Sequence, residues 1–135
     1  MIDVVAALFQ KDGAYLVFRR PRHKARGGCF EFVGGKVEPG ETHREALIRE
    51  CREELSAEVS VGDLFYDVTH VYPDIAIHLY LYRAEVRADE IRLLEHEEML
   101  WVKPDEFDLL PFCPADDEIL RVIRQRAIHK KGIDE

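Results

Sequence analysis

With 135 residues, 47% of them hydrophobic, the chain is long enough to bury a sizeable core and reads as one globular domain over residues 1–135, not as a disordered segment. Its formal net charge of −8 argues against a nucleic acid polymer as partner, because phosphate backbones reward basic surfaces. Three scattered cysteines, Cys29, Cys51 and Cys113, without C-x-x-C spacing, fit reduced thiols in a cytoplasmic protein better than a disulfide framework or a zinc site.

The start of the chain lacks a basic stretch, and the apolar run Val4 to Phe9 is too short for a signal or a membrane span. It reads as a strand over 2–9, joined by a Lys11-Asp12-Gly13 turn to a second strand over 14–19. Arg19, Arg20, Arg22, Lys24 and Arg26 then crowd one segment that ends at Gly27-Gly28, the pattern of a mobile, solvated loop. Residues 29–33 form a short strand entering Gly34-Gly35. Thr42, followed three residues later by Glu45, is a capping-box signature and starts a helix. Leu47, Ile48, Cys51 and Leu55 are its expected buried stripe. Strands are expected over 58–71, with Gly62 as a bulge, and over 75–86, with Tyr72-Pro73-Asp74 as the turn between them. A short strand over 99–102, a turn from Pro104 and an amphipathic helix over 116–128 follow. In that helix Ile119, Leu120, Val122 and Ile123 face inward, and 130–135 should fray. This element order indicates an α+β fold with a mixed or antiparallel sheet between helices.

The helix after Thr42 carries an electrostatic oddity. At 100° per residue, Glu53 lies about 60° to one side of Glu50 and Glu54 about 40° to the other. Three carboxylates therefore share one face and repel by a few tenths of a kcal/mol per pair. Such a face is either solvated or holds cations.

The spacing around it decides between those options. Gly35 is followed after five residues by Glu41, and after seven more by Arg49-Glu50, then Cys51, Arg52 and Glu53-Glu54. Six fixed letters at this spacing would match by chance in such a chain on the order of once in 10⁵. The stretch 35–57 resembles the Nudix box of the MutT-like pyrophosphohydrolases. Ser56 stands where that family has Gly at the helix exit, and Val33 replaces the proline common before the two glycines. Glu31-Phe32, Tyr72-Pro73-Asp74, Glu95-His96 ahead of Trp101, and Pro114-Ala115-Asp116 extend the resemblance over most of the chain.

The resemblance implies a Nudix fold, a mixed sheet sandwiched between helices, and hydrolysis of a nucleoside triphosphate with Mg²⁺, or Mn²⁺ in its place. It adds the Gly34 carbonyl and Glu95 to Glu50, Glu53 and Glu54 as metal ligands. Arg49 is placed to tie the carboxylates together, with Glu41 orienting it. Glu53 is the candidate base for the attacking water, with Glu95 second. Lys36 and Arg20 are candidates for the phosphates. Asp116 can accept from an exocyclic amino group or cap the last helix, and Phe32 and Tyr72 can stack on a base or belong to the core. The leading substrate is 8-oxo-dGTP, implying nucleotide-pool sanitation. CTP or a modified dCTP is the alternative, then a nucleoside diphosphate-linked substrate or a non-catalytic binding domain. A monomer is expected, with a dimer as the alternative, and no membrane partner.

Overall fold

The structure is a computed structural model that describes residues 1–134, with side chains as far as residue 128. Strand β1 (Ile2–Lys11) lies at its centre because its run Val5 to Phe9 is apolar on both faces and is buried on both. β1 runs parallel to β6 (Ala76–Val86), from Ile2 opposite Ile77 to Phe9 opposite Ala84. It also pairs antiparallel with β4 (Gly34–Lys36) and, at Gln10 and Lys11, with β2 (Ala14–Arg19). β5 (Val59–Val71) pairs with β6, and β3 (Phe30–Glu31) and β7 (Glu98–Val102) flank β2, so the sheet is mixed.

Successive residues of a strand point to opposite faces, and β1 uses both. Val5, Ala7 and Phe9 pack with Ala46, Leu47, Cys51 and Leu55 of helix α1 (His43–Leu55). Ala6 and Leu8 pack with Ile119, Leu120 and Ile123 of helix α2 (Asp117–Asp134). The α+β sandwich is therefore two cores separated by one sheet, each covered by one helix.

Several boundaries differ from expectation for local reasons. The expected strand 29–33 shortens to β3, which pairs with β2, and Gly34 begins a further strand, not expected from the sequence, against β1. The α1 stripe includes Ala46, and Ile48 is only half-buried. Gly62 sits in an irregularity, where the β5–β6 register shifts between Val61 and Leu64. Asp116 closes a 3₁₀ turn (Pro114–Asp116), and α2 starts one residue later and continues to Asp134. Of the segment expected to fray, the side chains of 130–134 and the whole of Glu135 lie outside the described residues.

The cysteine expectation is corrected. Cys29 and Cys113 are joined in a disulfide across 84 residues of sequence, and Cys51 is free and buried. The pairing follows from backbone contacts: Phe30 N–H donates to Pro111 O at 2.7 Å and Cys113 N–H to Phe30 O at 2.9 Å, which leaves the two Cα atoms 5.2 Å apart. Among the described residues no helix is long and apolar enough to cross a membrane.

Candidate functional site

The Gly-rich loop and α1 form one unit whose geometry the local sequence sets. Glu45 N–H donates to Thr42 Oγ1 at 3.1 Å and Thr42 N–H to Glu45 Oε1 at 2.9 Å, the reciprocal capping box. At the other end Ser56 adopts φ 53°, ψ 33° and donates its N–H to Arg52 O. The left-handed exit is thus made without glycine. Gly34 and Gly35 are required by contact. A Cβ on Gly34 would lie 1.9 Å from the Val5 carbonyl oxygen, and one on Gly35 would lie 2.4 Å from the Glu50 carboxylate carbon.

Arg49 is the hub. Its Nε and Nη2 donate to the two oxygens of Glu41 at 2.7 and 3.0 Å, a bidentate pair. Nη1 reaches Glu50 at 2.9 Å and Glu53 at 3.3 Å, and Nη2 also donates to Lys36 O at 3.0 Å. One guanidinium therefore ties β4, the loop and α1 together. The pairing with Glu41 is the main reason the guanidinium is held more firmly protonated than usual, and it draws the Glu41 carboxyl below the carboxylate range.

The three α1 carboxylates differ. Glu53 is largely exposed, whereas Glu50 is nearly covered. Burial pushes the Glu50 carboxyl up, against the opposing pull of Arg49. Glu54 is pushed up to about 8, first by burial and then by the charges of Glu50 and Glu31, with Lys24 opposing. Among the described residues its Oε2 is buried without a hydrogen-bond partner. A buried acceptor with no donor, beside a second carboxylate, is satisfied by a cation. Hard oxygen donors of this kind suit a divalent cation, so these residues fit one. Among the described residues no three such side chains already converge on a point. Glu95 does not join them: its carboxylate pairs with Lys24 Nζ. Its neighbour Leu94 donates N–H to Glu54 O at 3.0 Å, which keeps that segment against α1.

A cavity of about 320 Å³ runs from this unit across the sheet. Gly34, Gly35, Lys36 and Glu54 line one end, and Phe32, Tyr72 and Asp116 line the other. Asp116 is 3% exposed, and burial together with the charge of Glu31 raises its carboxyl well above the usual range. It sits in the 3₁₀ turn ahead of α2, three residues after the disulfide-bonded Cys113. Phe32 is buried in the α2-side core and still lines the cavity. Tyr72 has the Arg26 guanidinium over its ring at 4.3 Å and accepts a hydrogen bond from Ala115 N–H at 3.0 Å. The basic segment is not merely solvated. Arg20, Lys24 and Arg26 turn to the cavity and pair with Glu31, Glu95 and Asp74. Those partners lie up to 71 residues away along the chain, so no local pattern signals the arrangement. Sequence reasoning also missed His96, whose buried ring contacts Glu31, and left Glu31 without a role.

A Gly-rich loop leading into a carboxylate-bearing helix, set on a mixed sheet with a cavity beside it, defines a class of phosphate-handling fold. The NUDIX domain family pattern matches residues 4–122, and the chain belongs to that family. It is 38% identical over 120 residues to the CTP pyrophosphohydrolase of Escherichia coli (strain K12), covering 89% of each chain. It is 39% identical over 69 residues to the 8-oxo-dGTP diphosphatase of Proteus vulgaris, covering 51% of this chain and 62% of the relative. The solution structure of the E. coli ORF135 protein superposes with a TM-score of 0.81 at 37% identity, covering 95% of this chain and 92% of that one. Members of the family generally need a divalent metal.

Proposed function

We propose that the chain, acting as one domain, is a Mg²⁺-dependent nucleoside triphosphate pyrophosphohydrolase that releases a nucleoside monophosphate and pyrophosphate. The observation that carries the reading is a cavity lined at one end by Gly34, Gly35, Lys36 and Glu54 and at the other by Asp116. The Gly34 carbonyl with Glu50, Glu53 and Glu54 would hold the metal, and Glu95 would join after leaving Lys24. Mg²⁺, or Mn²⁺ in its place, supplies Lewis acidity toward phosphate oxygens and water when bound. Glu53, the most exposed of the three carboxylates, takes the proton of the water that attacks the β-phosphorus. Lys36 and Arg20 neutralise the phosphates, and Arg49 holds Glu50 and Glu53 in register. Phe32 and Tyr72 border the base, and Asp116 reads it.

Sequence resemblance favours 8-oxo-dGTP as the substrate. The burial of Asp116 beside Glu31 favours the second reading, a cytidine nucleotide. A neutral carboxylic acid offers one donor and one acceptor, which match cytosine N3 and its exocyclic N4–H. An ionised carboxylate offers only acceptors, which match the N1–H and 2-amino group of a guanine. The similarity to a CTP pyrophosphohydrolase supports the same choice. Free nucleotides, not nucleic acid polymers, are the substrates, and the enzyme works as a monomer.

The test is a steady-state panel with Mg²⁺ comparing 8-oxo-dGTP, dGTP, CTP, 5-methyl-dCTP and ADP-ribose. Pyrophosphate release with kcat/KM highest for a cytidine nucleotide is the expected result. No release from any triphosphate would end the enzyme reading. A large preference for ADP-ribose would end the triphosphate assignment.

A further inference from the structure

Glu31 stands between the two ends of the cavity, and its charge acts on both Glu54 and Asp116. It is held from two sides. Arg20 Nη1 donates to its two oxygens at 3.1 and 3.3 Å, and His96 Nε2 lies 3.0 Å from Oε2. Arg20 and Glu31 line the cavity. His96 stands behind them, its side chain 2% exposed and its ring packed on Phe18 at 5.2 Å between centroids.

The buried imidazole has one hydrogen bond among the described residues, the one to Glu31, because Nδ1 is buried without a partner. A neutral ring carries a single N–H. With no acceptor facing Nδ1, that proton belongs on Nε2, where it donates to Glu31. A site that needed only volume would be filled by an apolar side chain without the desolvation cost of two ring nitrogens. The backbone on each side of His96 is also tied. Leu94 N–H donates to Glu54 O and Glu97 N–H to Arg19 O, each at 3.0 Å. The imidazole therefore reaches Glu31 from a segment fixed between α1 and the end of β2, next to Arg20.

We infer that His96 is a positioning residue for the nucleotide cleft: its donation to Glu31 fixes that carboxylate, and through it the Arg20 guanidinium, on the wall between Asp116 and Glu54. The inference rests on the cleft being the nucleotide site. Without His96, Glu31 is held only by the long, flexible Arg20 side chain, and the wall loses its set position. Substrate binding suffers, while the α1 carboxylates and Arg49 keep their own contacts.

The experiment is steady-state kinetics on His96→Phe, which keeps a ring but loses the donor, and His96→Gln, which can return an N–H near the same place. The melting temperature of each variant is measured alongside. His96→Phe is expected to raise KM for the nucleoside triphosphate on the order of tenfold, with kcat held within about threefold. His96→Gln recovers KM to within about threefold of the parent. On a Glu31→Ala background His96→Phe adds no further change, since its effect passes through Glu31. An unchanged KM in His96→Phe, an equal loss in His96→Gln, or additive losses would each overturn the inference. Should His96→Phe not fold, ¹⁵N-histidine NMR of the intact protein decides. An Nε2–H tautomer whose ring proton is protected from exchange in the parent, and unprotected in Glu31→Ala, supports the role, and an Nδ1–H tautomer overturns it. Absence of triphosphate hydrolysis by the parent protein would instead sink the proposed function.

Discussion

The two ends of the cavity are built in opposite ways. The metal-facing end comes almost entirely from residues 34–55, where one arginine, a capping box and two glycines specify each other across short distances. The base-facing end, with the wall that joins it to the metal-facing end, is assembled from Arg20, Glu31, Phe32, Tyr72, His96 and Asp116, on five separate segments. It is held by tertiary devices: the Cys29–Cys113 disulfide, the Phe30–Pro111 and Phe30–Cys113 backbone bonds, and ion pairs from a basic loop. A compact motif can keep its chemistry while the scattered wall changes its side chains. Reaction type should therefore reside at one end and substrate choice at the other.

The largest expected effect tests the first half of that division. Glu53→Gln should lower kcat about 10²- to 10⁴-fold, equally for every accepted base, because the lost proton acceptor acts on a shared step. The exposed side chain should leave the melting temperature nearly unchanged. A loss confined to one nucleotide would show that the two ends are not separable.

The next tests what fixes the scattered end. Cys113→Ser should lower stability by about 2–4 kcal/mol in denaturant unfolding under oxidising conditions. Its kinetic signature should be a rise in KM with kcat preserved, since Cys113 precedes Asp116 by three residues while Arg49 and its partners are untouched. Addition of a dithiol to the parent protein should reproduce the shift.

Asp116 then sharpens the second half. Asp116→Ala should cost about 10- to 100-fold in kcat/KM for the preferred base, corresponding to about 1–3 kcal/mol for one lost base contact. Asp116→Asn tests the protonation state of that carboxyl. An amide offers a donor and an acceptor, as a neutral acid does, so CTP turnover should stay within about threefold of the parent. If Asp116→Asn instead loses cytidine turnover as fully as Asp116→Ala, the carboxyl reads its base ionised.

The same contrast explains what could be read from the chain. Thr42 and Glu45 meet because a helix brings i and i+3 together, and the 35–54 spacing encodes its own geometry. Six strands and both helices followed from periodicity, with a boundary shifted where a 3₁₀ turn precedes α2, but β4 did not, since Gly34-Gly35-Lys36 carries no strand pattern and joins the sheet only by pairing with β1. Lys24 with Glu95, Arg26 with Asp74, His96 with Glu31 and Cys29 with Cys113 are separated by 48 to 84 positions. Nothing local marks those partners. Hence the basic run read as a solvated loop and the cysteines as free thiols.

Glu54 gives a smaller effect, with a definite sign. Its folded carboxyl titrates at about 8, above the ordinary 4.5, so between those values the folded state binds the proton more tightly than the unfolded chain. Its contribution is fully favourable below pH 4.5 and is lost as pH rises through 8. The metal-free protein should therefore lose a few degrees of melting temperature between pH 6 and 9. Glu54→Gln should flatten that decline. Mg²⁺ added at pH 8–9 should restore the parent but not the variant. A parent protein whose melting temperature rises over that range without metal would contradict the burial of an unpaired carboxyl.

Ser56 carries the smallest effect, and it tests the compact end where that end departs from its own family. Its φ of 53° is paid for by a side chain that crowds the following carbonyl, at a cost of about 1 kcal/mol relative to glycine. The conformation persists because Ser56 N–H caps Arg52 O, Ala57 is buried directly after it, and Arg52 pairs with Glu58 across the turn. Ser56→Gly should relieve that crowding and stabilise the fold by somewhat less than 1 kcal/mol, since glycine also gains freedom in the unfolded chain. The gain should appear in denaturant midpoint, with kcat and KM unchanged, because Glu53 and Glu54 lie inside the helix and Ser56 outside it. A change in kcat would mean that the strained exit helps aim the carboxylates. The helix end would then belong to the chemistry, and the compact end would extend past residue 55.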